Sequence, residues 1–307
     1  MKAKVFLTGA TGVIGQRVVP RLVAAGHQVT AVGRSAEKRA HLERQGARAL
    51  AVDLFDAAAV SAAVRGSDVV INLATHIPPS SRVWWPGAWR QNSRVRREVS
   101  ANLAAVALHG GVGRFIQESF APIYADGGER WLDETAPVAP ARYNRTVLDA
   151  ETAAARVSGV VLRFAFFYGP DADFSQDAMG MVRRGWAPVF GSPEAYFSSI
   201  HHDDAATAVV AALDLPAGVY NVTDDRPVPR REFAGSIAAA LGVKLPRFLP
   251  RWLGKLAGSL GETLSRSQRI ANGKLRAAGW APRYPSVVEG WRAVIKDVPA
   301  GAQPKDG

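Results

Sequence analysis

The stretch Thr8–Gly15, TGATGVIG, constrains this chain more than any other. It follows an apolar run at Lys4–Thr8 and opens a helical pattern over Val13–Ala25. The three glycines have separate uses. Gly9 permits a tight turn, Gly12 lets backbone N–H groups approach a pyrophosphate, and Gly15 lets helix and strand pack closely, with the helix N-terminus facing the anion. A glycine triplet alone is weak evidence; with a strand before it and a helix after it, it becomes a specific dinucleotide-binding signature.

Downstream, short β-branched runs alternate with alanine-rich stretches, the pattern of βαβ units on a parallel sheet. Strands are expected at Lys4–Thr8, Gln28–Val32, Ala47–Ala51, Val69–Leu73, Arg114–Glu118 and Val160–Phe164, with a seventh at Gly218–Val222. Helices are expected near Val13–Ala25, Ala36–Gln45, Ala57–Val64, Val95–His109, Ala141–Arg156 and Asp204–Leu213. The predicted fold is α/β, a Rossmann-like doubly wound parallel sheet with a smaller C-terminal substrate lobe. Residues 1–164 form the dinucleotide-binding part, and the strand near 218–222 returns to it. Residues 165–217 and 223–300 form the lobe, and 301–307 a tail. In such a sheet the ligand crevice lies at the carboxyl ends of the strands.

Composition narrows the partners. At 307 residues and 48% apolar, the chain can bury a sizeable core. It has no cysteine, which removes disulfides, thiolate metal sites and a cysteine nucleophile. No apolar run is long enough to cross a bilayer, so a cytoplasmic protein is expected. The net charge of +11 is spread along the whole length, without a nucleic-acid-binding motif, so a small-molecule substrate rather than nucleic acid is expected. Two basic stretches stand out: Arg94–Val99, read as a solvated helix face, and Leu245–Gly258, read as a lobe helix for which peripheral membrane contact is not expected. His201, His202, Asp203 and Asp204 are consecutive and cannot all point at one ion; an N-cap at Asp203 or Asp204 accounts for them, and no metal is assigned. A homodimer is left open.

The spacing G-x-x-G-x-x-G resembles the extended short-chain dehydrogenase/reductase family of epimerases, dehydratases and their relatives. So do "AVDLFD" at Ala51–Asp56, "INLAT" at Ile71–Thr75, "VLRFAFFYGP" at Val161–Pro170 and "KLRAAGWAPRYPS" at Lys274–Ser286. The resemblance implies a nicotinamide cofactor held by Gly9, Thr11, Gly12, Val13 and Ile14, with Asp53 and Leu54 at adenine. Leu73, Ala74 and Thr75 lie beside the riboses, and Phe164 is also carried over as a cofactor contact. At the end of the second strand stands Arg34, where an acid would favour NAD(H); a guanidinium suits the 2′-phosphate, so NADP(H) is expected over NAD(H).

The resemblance also implies a tyrosine that exchanges a proton with the substrate and a lysine four residues later that lowers its pKa. Here Tyr143 is followed by Val147, which can do neither job. The family's Ser or Thr stands four residues before a tyrosine; counting back from Tyr124 reaches Phe120, and Ser119 lies one position off. Tyr143 and Ser119 are the candidate catalytic residues, with Arg142, Arg145 and Arg163 as weak sources of replacement charge. An Asn expected past the sixth strand is Phe166. Together with His76, Trp85 and Phe120 it describes an apolar or aromatic substrate crevice. An altered reductase or isomerase is the leading reading. A cofactor-binding sensor or scaffold, and a non-redox lyase or cyclase, remain alternatives.

Overall fold

The computed structural model describes residues 2–85, 87–249 and 258–297. Most of the basic stretch at 245–258, the last residues assigned to the lobe and the expected tail lie outside them.

Seven parallel strands form the sheet: β1 (Lys4–Thr8), β2 (Gln28–Val32), β3 (Arg48–Leu50), β4 (Val69–Asn72), β5 (Arg114–Phe120), β7 (Val160–Phe164) and β11 (Gly218–Val222). Their order is β11-β7-β5-β4-β1-β2-β3. The chain winds outward from β1 in one direction and from β4 in the other, so the crevice opens where these two neighbours part. Short strands between them, β6 (Trp131–Leu132), β8 (Phe166–Tyr168), β9 (Tyr196–Phe197) and β10 (Ser199–His201), belong to small two-stranded sheets.

Alternation along each strand supplies two cores. Val5, Leu7, Ile71, Ile116, Leu162 and Phe164 face helices α1 (Gly15–Ala24) and α8 (His202–Ala211). Phe6, Val70, Phe115 and Val161 face α3 (Ala57–Val64), α5 (Ser100–His109) and α6 (Val147–Ala155). A third core gathers Tyr168, Phe197, Phe233 and Trp291 from pieces beyond β7, including α7 (Asp173–Arg183), α9 (Arg230–Leu241) and the helix Val287–Asp297. Among the described residues no helix is long and apolar enough to cross a membrane.

Three sequence expectations change. The helix expected from Ala141 begins at Val147; residues 142–146 form tight turns in which the N–H of Val147 reaches back only to the carbonyl of Asn144. The helix expected from Val95 begins earlier, as α4 (Arg90–Arg94), and passes through a π-helical turn, Val95–Val99, into α5. That turn carries the basic stretch read as solvated. Arg94 and Arg97 are exposed on it, but Arg96 is buried. Finally, neither Asp203 nor Asp204 caps α8. The cap is His201, whose Nδ1 accepts the N–H of Asp203.

Candidate active site

The phosphate loop is shaped by close packing on two glycines and left open at the third. A Cβ on Gly9, at φ +69°, would lie 2.3 Å from the carbonyl oxygen of Leu73, and one on Gly15 would lie 2.2 Å from that of Gly9. At Gly12 the same atom meets only the Gly9 oxygen, at 3.3 Å. Gly12 and Val13 are exposed, Thr11 is half-exposed and Ile14 is buried behind them. Ser35 caps α2 (Ala36–Arg44) and Asp56 caps α3, whereas α1 has neither a side-chain cap nor an acid in its first turn. The N–H groups of Gln16 and Arg17 are taken by the carbonyls of Gly12 and Ile14, which leaves those of Val13, Ile14 and Gly15 to face an anion, so the loop fits a dinucleotide pyrophosphate.

Leu73 is buried, Ala74 half-buried and Thr75 exposed, directly past β4. Beneath them lies a polar network that sequence inspection missed. Thr8 donates to Asn72 at 2.6 Å, and Asn72 donates to Gln117 at 2.9 Å and Ser100 at 3.2 Å. Asp53 is exposed and accepts the N–H of Phe55, while Asn102 holds the carbonyls of Leu54 and Phe55. Arg39 donates to the carbonyls of Gly33 and Arg34, bracing the loop and leaving the Arg34 side chain exposed. Phe164 is fully buried against Phe167, inside the sheet's core.

The catalytic candidates separate. Ser119 is fully buried, and its hydroxyl donates to Glu151 of α6. Glu151 lies one turn beyond Val147 and takes both Nε and Nη2 of Arg163, at 2.8 and 2.7 Å; Nη1 of Arg163 donates to Tyr124. The charge of Arg163 is thus matched by a carboxylate and is not a replacement for the lysine. Arg142 and Arg145 are exposed. The one-residue offset seen in sequence has a physical meaning: Ser119 faces α6, and Phe120, next along the strand, faces the other way.

Tyr143 sits in the turn before α6, its ring 4.7 Å from that of Trp89. Burial pushes its phenol up to about 12; Thr263, Arg96, Arg266 and Asn144 pull the other way without prevailing. The cations nearest the phenol are therefore unexpected ones. Arg96, 3% exposed, donates to Glu118 on β5 at 3.0 Å, while Arg96 Nε and Glu118 Oε2 have no partner. Nothing in local spacing links residues 96 and 118; only the packing of the π turn against β5 brings them together.

Of the substrate candidates, Phe120 and Phe166 meet edge to face at 5.6 Å, and Phe166 stacks on Phe197 at 4.7 Å. His76 is exposed, with its N–H bonded to Asn92. Trp85 is 68% exposed and Trp84 takes the inward contact, meeting Phe190 at 5.7 Å. The indole of Trp89 donates to the carbonyl of Val83, fastening the same loop. The four residues weighed as a metal cluster have separate partners. His201 caps α8, His202 pairs with Asp171, Asp203 pairs with Arg17 and Arg21, and Asp204 accepts two backbone N–H groups at Arg283 and Tyr284.

Comparison with known proteins fits this geometry. Residues 9–164 match the model of a family described as NAD(P)H-binding. The chain is 34% identical over 306 residues to a 3-diazoavenalumate denitrifying reductase from Streptomyces sp, covering 94% of this chain and 98% of that protein. Among solved structures it resembles the human epimerase family protein SDR39U1 (isoform 2) with NADPH. The TM-score is 0.81 at 21% identity, over 96% of this chain and all of that one. It also resembles a UDP-glucose 4-epimerase from Thermus thermophilus in complex with NAD. There the TM-score is 0.74 at 23% identity, over 95% and 98% of the two chains.

Proposed function

This chain belongs to the extended short-chain dehydrogenase/reductase family of NAD(P)-dependent enzymes, and from that premise we propose that it is an NADPH-dependent reductase of a small apolar or aromatic substrate. NADPH, when bound, supplies a hydride. The residues expected to hold it are those of the phosphate loop, with Asp53 and Leu54 at adenine, Leu73 to Thr75 at the riboses and Arg34 at the 2′-phosphate.

The observation that carries the reductive direction is the phenol of Tyr143, half-buried against Trp89 with Val147 where a lysine would stand, and pushed up to about 12 by desolvation. A phenol held neutral can donate a hydrogen bond or a proton to an oxygen gaining charge. It cannot act as a base near pH 7 without first losing its own proton. Phe120 in the crevice, where a hydroxyl is expected, removes the usual second donor.

A second reading of the chemistry is favoured by Val147 and Phe120 together: a substrate whose reduction leaves no oxyanion needs no proton from the protein. The Streptomyces relative is named for a diazo substrate and a denitrifying reduction. Replacement of a cationic N₂ group by hydrogen, with N₂ leaving, is balanced by hydride alone.

One set of measurements decides among these. Titration is expected to show NADPH binding more tightly than NADH, and Arg34→Ala to weaken NADPH roughly tenfold while leaving NADH unchanged. Equal affinities would sink the cofactor assignment. With ketones and enones, Tyr143→Phe is expected to lower turnover roughly a hundredfold; unchanged turnover on a diazo substrate would favour the proton-free reading. NADPH binding without turnover of any of these would sink the reductase.

A further inference from the structure

The wall of the crevice facing β8 holds an arginine with no carboxylate in ion-pair contact, Asp126 acting on it only from a distance. Arg230 opens α9, is 1% exposed and is in none of the ion pairs among the described residues. Its Nη2 donates to the carbonyls of Leu264 and Arg266, at 2.7 and 2.6 Å, and so closes the end of the helix Gly258–Ser265. A guanidinium has five N–H bonds, of which Nη2 carries two. The other three, on Nε and Nη1, are buried and have no acceptor. Capping the helix therefore uses less than half of what the side chain offers, while a buried charge without an anion costs several kcal/mol, on the order of the desolvation penalty itself. A methionine would fill the space without the charge.

The surroundings indicate what is missing. Arg230 lines a narrow cleft with Phe166, Phe197, Thr263 and Arg266, closed in this conformation too tightly for a water molecule. Its Cζ lies 6.0 Å from the ring of Phe197. Phe197 stacks on Phe166, which meets Phe120, so a continuous row of rings runs from the end of β5 to the free guanidinium. Thr263 lines the same cleft and adjoins the hydroxyl of Tyr143. The candidate proton donor and the free guanidinium therefore border the same cleft, joined through Thr263.

We propose that Arg230 is the anchor for the carboxylate of the substrate, so that the enzyme takes a flat or apolar organic acid whose body lies along Phe120, Phe166 and Phe197 as the cleft parts. This rests on reading the crevice as the substrate site, but not on any turnover. The planar fork of Arg230 suits a carboxylate, and the rings of Phe120, Phe166 and Phe197 suit a flat or apolar body.

The test is binding to the NADPH complex, followed by calorimetry, of cinnamate, benzoate and hexanoate, each beside its neutral amide. At least one acid is expected to bind tenfold or more tightly than its amide, and Arg230→Met to erase that preference with NADPH affinity unchanged. If Arg230→Met does not fold, Arg230→Lys serves, since it keeps the charge without the fork; a several-fold loss of acid binding is expected. Acids that bind no better than their amides, or a preference that survives both substitutions, would overturn the proposal. An acid that binds through Arg230 but is never reduced would leave this anchor standing while defeating the reductase reading.

Discussion

At the scale of single residues, Gly9, Gly12 and Gly15 look alike in sequence and differ in what surrounds them. A side chain at Gly9 or Gly15 would strike backbone, which cannot yield, whereas a Cβ at Gly12 meets a single atom, the Gly9 oxygen, at a tight but tolerable 3.3 Å. Gly12→Ala is therefore expected to melt within about 2 °C of the parent while losing at least tenfold in NADPH affinity. Gly9→Ala also forces an alanine to φ +69° and should fail to give folded protein. Thermal melts beside cofactor titrations separate the two effects, and a Gly12→Ala protein that binds NADPH normally would remove Gly12 from the site. Tyr143 yields a second expectation. With its pKa raised to about 12 it stays protonated at any pH the enzyme tolerates, so the rate of reduction should show no limb due to Tyr143 between about pH 6 and pH 9. A tyrosine-dependent rise near pH 8 would mean that some cation lowers the phenol after all. The glycine loop and the absent lysine could be read from sequence, because each is a local pattern. Arg96, Glu118 and Arg230 could not, because their meaning depends on which distant carbonyl or carboxylate does or does not stand beside them.

At the scale of elements, helix type was legible and helix starts were less so. The apolar period of α6 extends back through Ala141, but residues 142–146 close only tight turns, so Tyr143 and Val147 never share a helix face. Restoring the lysine should therefore not restore the base. Val147 is fully buried, and Val147→Lys is expected to cost roughly 3 kcal/mol in urea unfolding without creating an alkaline rise in oxidation rate. Recovery of that rise would show that the turn rewinds into helix. The start of α8 carries a pH dependence. Burial, with help from His202 and Arg17, pulls His201 down to about 4 against the opposing pull of Asp203 and Asp171. Its folded pKa lies below the unfolded value of 6.5, so the unfolded chain binds the extra proton. Its share of stability is then complete above pH 6.5 and is lost as the pH falls toward 4, by on the order of 3 kcal/mol. Urea midpoints measured across that range should flatten in His201→Asn, which keeps an acceptor for the Asp203 N–H but does not titrate. An unchanged slope would assign the acid sensitivity to other groups.

At the scale of the whole molecule, the strand pattern and the doubly wound sheet were readable because parallel strands buried on both faces advertise themselves as short β-branched runs. Beyond β7 the helix near 204–213 and the strand at 218–222 were readable too, but the small strands before that helix were not, since they are two or three residues long and their core is assembled from distant segments around Tyr168 and Trp291. One strand links the two regions: β11 pairs with β7 along its full length, from Gly218 beside Val160 to Val222 beside Phe164. The match to the NAD(P)H-binding family model ends at residue 164. A fragment cut there would keep every glycine of the phosphate loop and still present β7 as a bare row of N–H and C=O groups, a template for another chain. Such a fragment is expected to sediment as aggregate, and co-expression with residues 165–297 to return it to the supernatant. A ribosome faces the same exposure. Until Gly218–Val222 has been made, the nascent sheet has an adhesive border, and that interval is when this protein most needs a chaperone.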